Sequence, residues 1–387
     1  PYNVQKESVD AGVLDQVHIP ASGLAPVPAI DALAALIRDA HAPVIIAGDG
    51  CIRAGARDAV AALAEAYRIP VATSLKAKGV VAEGSPLALG CLGVTSDGAA
   101  RRYLVEHADL LIVLGASFNE RTSYVWDKNL LAGKKLIQVD NNAQQLEKVF
   151  RADLVVQADL GAYLRALDFA AQARGLAPKA PVDVAAFMAE AKTQADAAGE
   201  TIFNHQFDHV RAFYAWLERQ FPDGLVMFDD NIVFAQNFYR VGAQDRFYPN
   251  TGISSLGHAI PAAIGAGCEV KKQPLFAMIG DGGFHMCAME IMTAVNYKIP
   301  LNIVLFNNST MGLIRKNQHH LYQDRFIDCD FANPDYALLA QSFGIQHTRV
   351  DNAQDLAKLE AIDFHRGIHL IEIMIFRDAY PNYSSRR

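Results

Sequence analysis

Short runs of apolar residues, each about the length of one strand, are the feature that most constrains how this chain folds. They occupy residues 43–47, 70–73, 108–114 and 135–139 in the first half, and 224–228, 273–279, 301–306 and 369–375 in the second. Runs that lack polar alternation are typical of strands buried on both faces of a parallel sheet. Helical patterns lie before the first run, at 31–39, and between later runs, at 56–67, 259–268 and 287–297. The sequence therefore predicts an α/β fold with two doubly wound parallel-sheet domains.

Changes in composition divide the chain into four predicted segments. Residues 1–28 contain several prolines without sustained periodicity, which is typical of an arm or linker. Residues 29–170 are predicted to form a central Rossmann-like domain. Residues 171–200 have few large apolar side chains and are predicted to be a linker, and residues 201–387 are predicted to form the second domain.

Composition and charge exclude several classes of protein. The 387 residues carry a net charge of -7 without a basic block, which argues against nucleic-acid binding. No apolar run reaches the roughly 20 residues that a membrane helix needs. The five cysteines are scattered without a CxxC pair, which is typical of reduced thiols and predicts a cytoplasmic protein.

An acidic residue and an amide follow two neighbouring strands of the second predicted sheet. Asp281 follows the 273–279 strand after one glycine, and Asn308 follows the 301–306 strand after one asparagine. Because parallel strands end at the same edge of a sheet, both side chains are expected at the edge where open α/β sheets bind ligands. Carboxylate and amide oxygens suit Mg²⁺, which also keeps phosphate and water ligands.

Glycines surround the acidic residue, at Gly280, Gly282 and Gly283. They allow backbone N–H groups to approach an anion closely, and the start of the helix that follows favours negative charge. A diphosphate is the ligand that this combination predicts. Either half of the pattern alone is also compatible with a tight turn or a strand cap.

Taken together, Gly280-Asp281-Gly282 and Asn307-Asn308 resemble the signature of thiamine diphosphate enzymes, in the branch of acetolactate synthases and pyruvate oxidases. The resemblance implies thiamine diphosphate and Mg²⁺ as cofactors. It assigns the metal to Asp281, the Asn308 side chain and the backbone carbonyl of Thr310. The implied cofactor-binding residues near this motif are Gly280, Gly282, Gly283, Asn308 and Met311.

A second segment, 252–265, resembles the glycine-rich turn of that family and the Leu-Pro-Ala-Ala-Ile-Gly helix after it. By position, Leu256 is the apolar wedge that bends the cofactor. The Ser254 carbonyl is expected to accept a hydrogen bond from the aminopyrimidine. The alternative for Leu256 is an ordinary core leucine.

Residues 43–167 resemble the central domain of the same family, in which related turns hold FAD or ADP. Gly48 and Gly50 match the first two glycines of a dinucleotide turn, but Arg53 stands where the third is expected. Arg121 is a candidate phosphate contact, with an ordinary surface arginine as the alternative. FAD or ADP is thus a candidate second ligand.

The resemblance also implies that the activating glutamate and a second subunit lie outside this chain. In this family the glutamate that activates the cofactor lies on an N-terminal pyrimidine-binding domain, and residues 1–5 resemble the stretch that follows that domain. The catalytic residue is therefore expected outside this chain, on such a domain or chain. Glu290 is expected to be a helix-surface or supporting carboxylate. A homo-oligomer, dimer or tetramer, is expected because the family binds its cofactor between subunits.

The implied reaction is carboligation of a 2-oxo acid, as in acetolactate synthases. Residues 311–318 resemble the mobile loop that closes over substrate in those enzymes, although the tryptophan usual near Asn317 is absent. Two alternatives stay open. One is a 2-oxo acid decarboxylase or acyl-CoA lyase of the same family, and the other is a nucleotide-binding regulatory module without catalysis.

Overall fold

Two six-stranded sheets, all of whose strand pairs are parallel, form the framework of the protein. A computed structural model of the chain describes residues 27–230, 232–252 and 254–383. Most of the predicted arm at 1–28 therefore lies outside the described residues. Helices cover both faces of each sheet, so the predicted α/β class with two parallel-sheet domains is confirmed.

The first sheet has the strand order β3-β2-β1-β4-β5-β6, which is the order of a Rossmann fold. Its strands are β1 (Pro43–Ala47), β2 (Val71–Thr73), β3 (Ala88–Cys91), β4 (Leu110–Leu114), β5 (Lys135–Asp140) and β6 (Leu154–Gln157). The helices are α1 (Val27–Asp39), α2 (Asp49–Arg53), α3 (Arg57–Tyr67), α4 (Ala99–Glu106) and α5 (Leu160–Ala173). A further helix, α6 (Val184–Ala197), occupies much of the predicted linker at 171–200, and its Phe187 packs edge-on against Tyr103 of α4.

The second sheet has the order β11-β12-β10-β9-β7-β8. Its strands are β7 (Val226–Asp229), β8 (Arg246–Pro249), β9 (Leu275–Gly280), β10 (Leu301–Asn307), β11 (Gln346–Val350) and β12 (Ile368–Met374). The helices are α7 (Asp208–Gln220), α8 (Ile232–Phe238), α9 (Ala259–Gly267), α10 (Asp281–Cys287), α11 (Ile291–Tyr297), α12 (Gly312–Tyr322) and α13 (Tyr336–Phe343).

All eight predicted strands are present, and they are the inner strands of the two sheets. The prediction of one helix at 287–297 was wrong in its start and its continuity. Helix α10 begins at Asp281, directly after β9, and a 3₁₀ turn at Ala288–Glu290 separates it from α11. The consequence for the site is that Asp281 and both following glycines lie in the first turn of a helix.

Buried polar contacts join the two domains. Lys78 and Glu83 form a buried ion pair at 2.6 Å in the segment between β2 and β3. Glu83 also accepts a hydrogen bond from the Val241 N–H at 2.9 Å, and Lys78 Nζ lies 3.4 Å from the carbonyl oxygen of Gln236 in α8. These contacts hold the carboxyl edge of the first sheet beside the loops of the second domain.

Candidate active site

The polar groups that follow β9 and β10 meet at the edge of the second sheet. Asp281 is 1% exposed, and its Oδ2 accepts hydrogen bonds from the backbone N–H groups of Asn308 (3.1 Å) and Ser309 (2.6 Å). The two strands pair in parallel, with Gly280 opposite Phe306, so their ends are brought together by the sheet register. The predicted neighbourhood of Asp281 and Asn308 is therefore present.

The Asp281 carboxylate accepts several hydrogen bonds, and its burial makes the charged form costly. Oδ1 accepts from the Gly282 N–H at 2.9 Å, and Oδ2 also accepts from Asn333 Nδ2 at 3.0 Å. Burial raises the pKa of Asp281, although the hydrogen bonds from Asn333, Ser309, Gly282 and Asn308 oppose that rise. Within the described ranges no ion pair involves Asp281. A buried carboxylate of this kind is suited to a cation.

The glycines of the motif differ in their surroundings. A Cβ at Gly280 would meet no atom within 4 Å, whereas a Cβ at Gly282 would overlap the sulfur of Met311. A Cβ at Gly283 would lie 3.1 Å from Ile279 Cγ1 and 3.5 Å from the backbone nitrogen of Gly257. The open space at Gly280 provides room for a ligand beside the first helical turn, and Gly282 and Gly283 allow that turn to pack closely against Met311 and Ile279.

The segment after β10 is tied to the loop that precedes α13. Asn308 Oδ1 accepts from the Thr310 N–H at 3.3 Å, and the Thr310 hydroxyl donates to the Cys329 carbonyl at 2.7 Å. The Met311 N–H donates to the same carbonyl at 2.7 Å. Because the Thr310 side chain is engaged in this way, its expected contribution to a metal site is limited to its backbone carbonyl.

The turn that contains Ser254 and Leu256 lies against α10. Ser254 has a positive φ of 55°, and Gly257 has a φ of 85° with its Cα facing Met286 and Cys287. Leu256 is 41% exposed, so it is not an ordinary core leucine in this structure. Its exposure leaves the side chain available for contact with a ligand.

Asp230 organises this turn and was not identified from the sequence. Its Oδ2 accepts from the N–H groups of Gly257 and His258, each at 2.8 Å, and its Oδ1 accepts from Asn250 Nδ2 at 2.9 Å. An acidic residue directly after β7 was the available signal, since β7 lies next to β9 in the sheet.

A cavity of about 500 Å³ lies at the carboxyl edge of the first sheet. It is lined by Lys76 and Arg121 from the central domain and by Thr251 and Ser254 from the second. A Cβ at Gly48 would overlap the carbonyl oxygen of Gly115, so this glycine allows two protein turns to pack together. The predicted dinucleotide turn thus has a packing role, and Arg121 does line a cavity.

Glu290, considered above as a supporting carboxylate, is exposed at the start of α11, and Thr293 Oγ1 lies 3.3 Å from its Oε2. The structure does not bring it into the network around Asp281 described above.

Comparison with known proteins identifies the class to which this fold and site belong. Residues 30–167 match the central domain of thiamine pyrophosphate enzymes, and residues 230–373 match their C-terminal TPP binding domain. The chain belongs to the thiamine pyrophosphate enzyme family.

Relatives of the chain within this family include acetolactate synthases. The chain is 29% identical over 352 residues to a probable acetolactate synthase large subunit of Methanocaldococcus jannaschii, a match that covers 88% of this chain and 59% of the relative. It is 29% identical over 344 residues to the acetolactate synthase large subunit of Lactococcus lactis, a match that covers 87% of this chain and 58% of the relative. It is 28% identical over 353 residues to the acetolactate synthase isozyme 2 large subunit of Escherichia coli, a match that covers 88% of this chain and 61% of the relative. The chain thus spans less than two thirds of the length of these relatives.

Two further findings bear on the earlier expectations. Across the described part of the chain, no helix combines the length and the apolar character needed to cross a membrane. All five cysteines are free thiols, four of them buried.

Proposed function

We propose that this chain supplies the diphosphate and metal half of a thiamine diphosphate- and Mg²⁺-dependent carboligase that acts on a 2-oxo acid. The observation that carries the proposal is the Asp281 carboxylate, which is buried without a cationic partner among the described residues and lies in a glycine-containing first helical turn. In this proposal Asp281, the Asn308 side chain and the Thr310 carbonyl bind Mg²⁺. Gly280, Gly282, Gly283 and Met311 surround the diphosphate.

The thiamine end of the cofactor is assigned to the turn after Asn250. Leu256 supports the bent conformation of the cofactor, and the Ser254 carbonyl accepts from its aminopyrimidine. Thiamine diphosphate, when bound, supplies the carbanion chemistry, and the protein supplies binding and orientation.

Calorimetric titration of thiamine diphosphate with and without Mg²⁺ tests the central assignment. We expect binding that depends on Mg²⁺ and that Asp281→Ala abolishes, because the variant removes the buried anionic ligand. Asp363→Ala, which removes an exposed carboxylate, is the control for the change in net charge. Wild-type binding that is unaffected by Asp281→Ala would contradict the assignment.

Product analysis separates carboligation from its alternatives. Acetolactate formed from pyruvate supports a carboligase, in keeping with the relatives, and free aldehyde formed from pyruvate supports a decarboxylase. Carbon–carbon cleavage of an acyl-CoA substrate, with no reaction of pyruvate, supports an acyl-CoA lyase. A regulatory module would bind a flavin or ADP tightly without binding thiamine diphosphate.

The completed site is proposed to lie between subunits of a dimer or tetramer. Apolar side chains around the candidate site are exposed, including Met286 at 61% and Met289 at 71%, along with Leu313 and Ile314. This surface suits a subunit that carries the pyrimidine-binding domain and its glutamate. Sedimentation analysis checks this point, since a chain that stays monomeric when mixed with such a domain would contradict it.

A second ligand is proposed for the cavity beside Arg121. Its lining includes the cations Lys76 and Arg121 beside the acids Asp49 and Glu120, and it lies at the carboxyl edge of β1 and β4, where open α/β sheets bind nucleotides. Absorbance of the purified protein tests for FAD, and titration with ADP tests for the nucleotide, with Arg121→Ala expected to weaken either. The free thiols suit a reducing compartment, and we propose a cytoplasmic location.

A further inference from the structure

A continuous series of polar side chains connects the Asp281 carboxylate to the last strand of the sheet. Asn333, in the loop before α13, has an Nδ2 that carries two hydrogens and lies 2.7 Å from Asn307 Oδ1, 3.0 Å from Asp281 Oδ2 and 3.2 Å from Ser309 Oγ. Asn333 therefore contacts both the carboxylate and the end of β10.

The series continues across the sheet to β12. Asn307 Nδ2 donates to Glu372 Oε1 at 2.6 Å, and Glu372 Oε2 lies 2.9 Å from His347 Nε2. Asn307 and Glu372 are both buried. Burial disfavours ionisation of Glu372, but hydrogen bonds from His347 and Asn307 outweigh it and lower the pKa of Glu372.

These contacts determine the orientation of two amides in turn. An ionised carboxylate only accepts hydrogen bonds, so Glu372 requires the NH₂ end of Asn307. The oxygen end of Asn307 then faces Asn333, which must present its own NH₂ end. That orientation is also the one that donates to Asp281, so both ends of the series require the same arrangement.

Asn333 also has an atom whose hydrogen-bonding capacity is unused. Its Oδ1 is buried and has no hydrogen-bond partner within the described parts of the chain. Buried polar atoms without a partner are uncommon, and their known causes are local strain, a catalytic role, or a water or ion at the site. Unlike the equally unpartnered Asn302 Oδ1 within β10, this oxygen belongs to a side chain that contacts Asp281.

We propose that Asn333 is a positioning residue for the metal-binding carboxylate of Asp281. Glu372 fixes the orientation of the Asn333 amide through Asn307. The inference rests on the proposed Mg²⁺ site. Oδ2 of Asp281 receives three donors, from Asn308, Ser309 and Asn333, whereas Oδ1 receives one, from Gly282. Holding Oδ2 in this way leaves Oδ1 as the oxygen with acceptor capacity for a cation.

The test measures the apparent Mg²⁺ affinity of the full chain at a fixed, saturating concentration of thiamine diphosphate. We expect Asn333→Ala to weaken Mg²⁺ binding by about 10-fold or more, which is the usual effect of removing a group that orients a metal ligand. Glu372→Gln is expected to weaken Mg²⁺ binding by a smaller factor. A glutamine amide can either donate or accept a hydrogen bond, so it no longer fixes which end of the Asn307 amide faces it. Thermal midpoints measured without Mg²⁺ report any general loss of stability.

Asn302→Ala is the matched control. Asn302 is a fully buried asparagine of β10 that donates to the carbonyls of Leu275 (3.0 Å) and Phe364 (2.9 Å), and its Oδ1 also lacks a partner among the described residues. This variant is expected to lower the thermal midpoint while leaving the Mg²⁺ affinity within about twofold of the wild type.

Each result has a distinct meaning. Wild-type Mg²⁺ affinity in Asn333→Ala, or equal weakening in Asn333→Ala and Asn302→Ala, overturns the positioning role while leaving the proposed function in place. Wild-type affinity in Glu372→Gln overturns the part assigned to Glu372. A wild-type chain with no Mg²⁺-dependent binding of thiamine diphosphate, both alone and mixed with a pyrimidine-binding domain, rejects the proposed function and this inference with it.

Discussion

Lys316 is a buried amine held by the end of the described chain. It is 2% exposed, and its Nζ donates to the Tyr383 carbonyl at 2.6 Å and lies 3.6 Å from the centre of the Tyr383 ring. In the structure as described, no carboxylate forms an ion pair with it. Burial lowers the pKa of Lys316 to about 8.

The lowered pKa of Lys316 predicts that the free energy of unfolding depends on pH. Between pH 8 and the ordinary lysine pKa of 10.5, the unfolded chain binds the proton and the folded chain has released it. The free energy of unfolding therefore rises with pH in this window. Below pH 8 the folded chain bears the full cost of burying the charged Lys316 amine. We expect the wild type to gain stability relative to Lys316→Met as pH rises from 8 to 10, as measured by urea unfolding at fixed ionic strength.

Lys192→Met on the exposed face of α6 provides the control for a change of one charge. If the wild type and Lys316→Met keep a constant difference in free energy of unfolding over this range, Lys316 does not change protonation on folding.

At the scale of elements, the turns after β1 and β4 depend on close backbone contact. A Cβ at Gly48 would overlap the backbone of Gly115 and Ala116, and a Cβ at Gly50 would lie 2.7 Å from the Gly115 Cα. Because backbone atoms cannot move aside as a side-chain tip can, we expect Gly48→Ala to lower the free energy of unfolding by about 1–3 kcal/mol. Chemical denaturation measures the change.

Gly84 offers a matched control for that substitution. A Cβ at Gly84 would meet nothing within 4 Å, and its φ is not in the left-handed region. Gly84→Ala is expected to leave stability within about 0.5 kcal/mol of the wild type or to raise it slightly. Equal effects of the two substitutions would show that the contact between the turns contributes nothing.

At the scale of the whole molecule, the buried Lys78–Glu83 pair joins the domains through Gln236 and Val241. Lys78→Met leaves the Glu83 carboxylate buried without its cation, which typically costs about 3–5 kcal/mol. We expect the two domains to unfold separately in this variant and together in the wild type. Lys78→Met/Glu83→Gln is expected to recover part of the loss, since it removes the unpaired charge.

The two tryptophans allow the domains to be observed separately. Trp126 lies in the central domain and Trp216 lies on α7 of the second domain. Trp126→Phe and Trp216→Phe variants therefore report on one domain each by fluorescence during urea unfolding. Coincident transitions in Lys78→Met would contradict the proposed coupling.

The strands that were predicted and those that were missed differ in their place in the sheet. The eight inner strands were predicted because burial on both faces requires a continuous apolar run, which is visible in the sequence. The four missed strands, β3, β6, β8 and β11, are the four sheet edges. Each is four or five residues long and partly exposed, so polar residues are tolerated and the apolar pattern is lost.

The sequence alone determined the fold class, because buried parallel strands require continuous apolar runs. It also determined the family resemblance and the neighbourhood of Asp281 and Asn308, because these depend on residues next to a strand end. Only the tertiary structure revealed Asn333 and Glu372, which contact the site from 52 residues after Asp281 and from the middle of β12. Neither lies in a recognisable local pattern. Their place in the network follows from strand register and from a loop that folds back over the sheet edge, and such contacts are set by packing between distant segments.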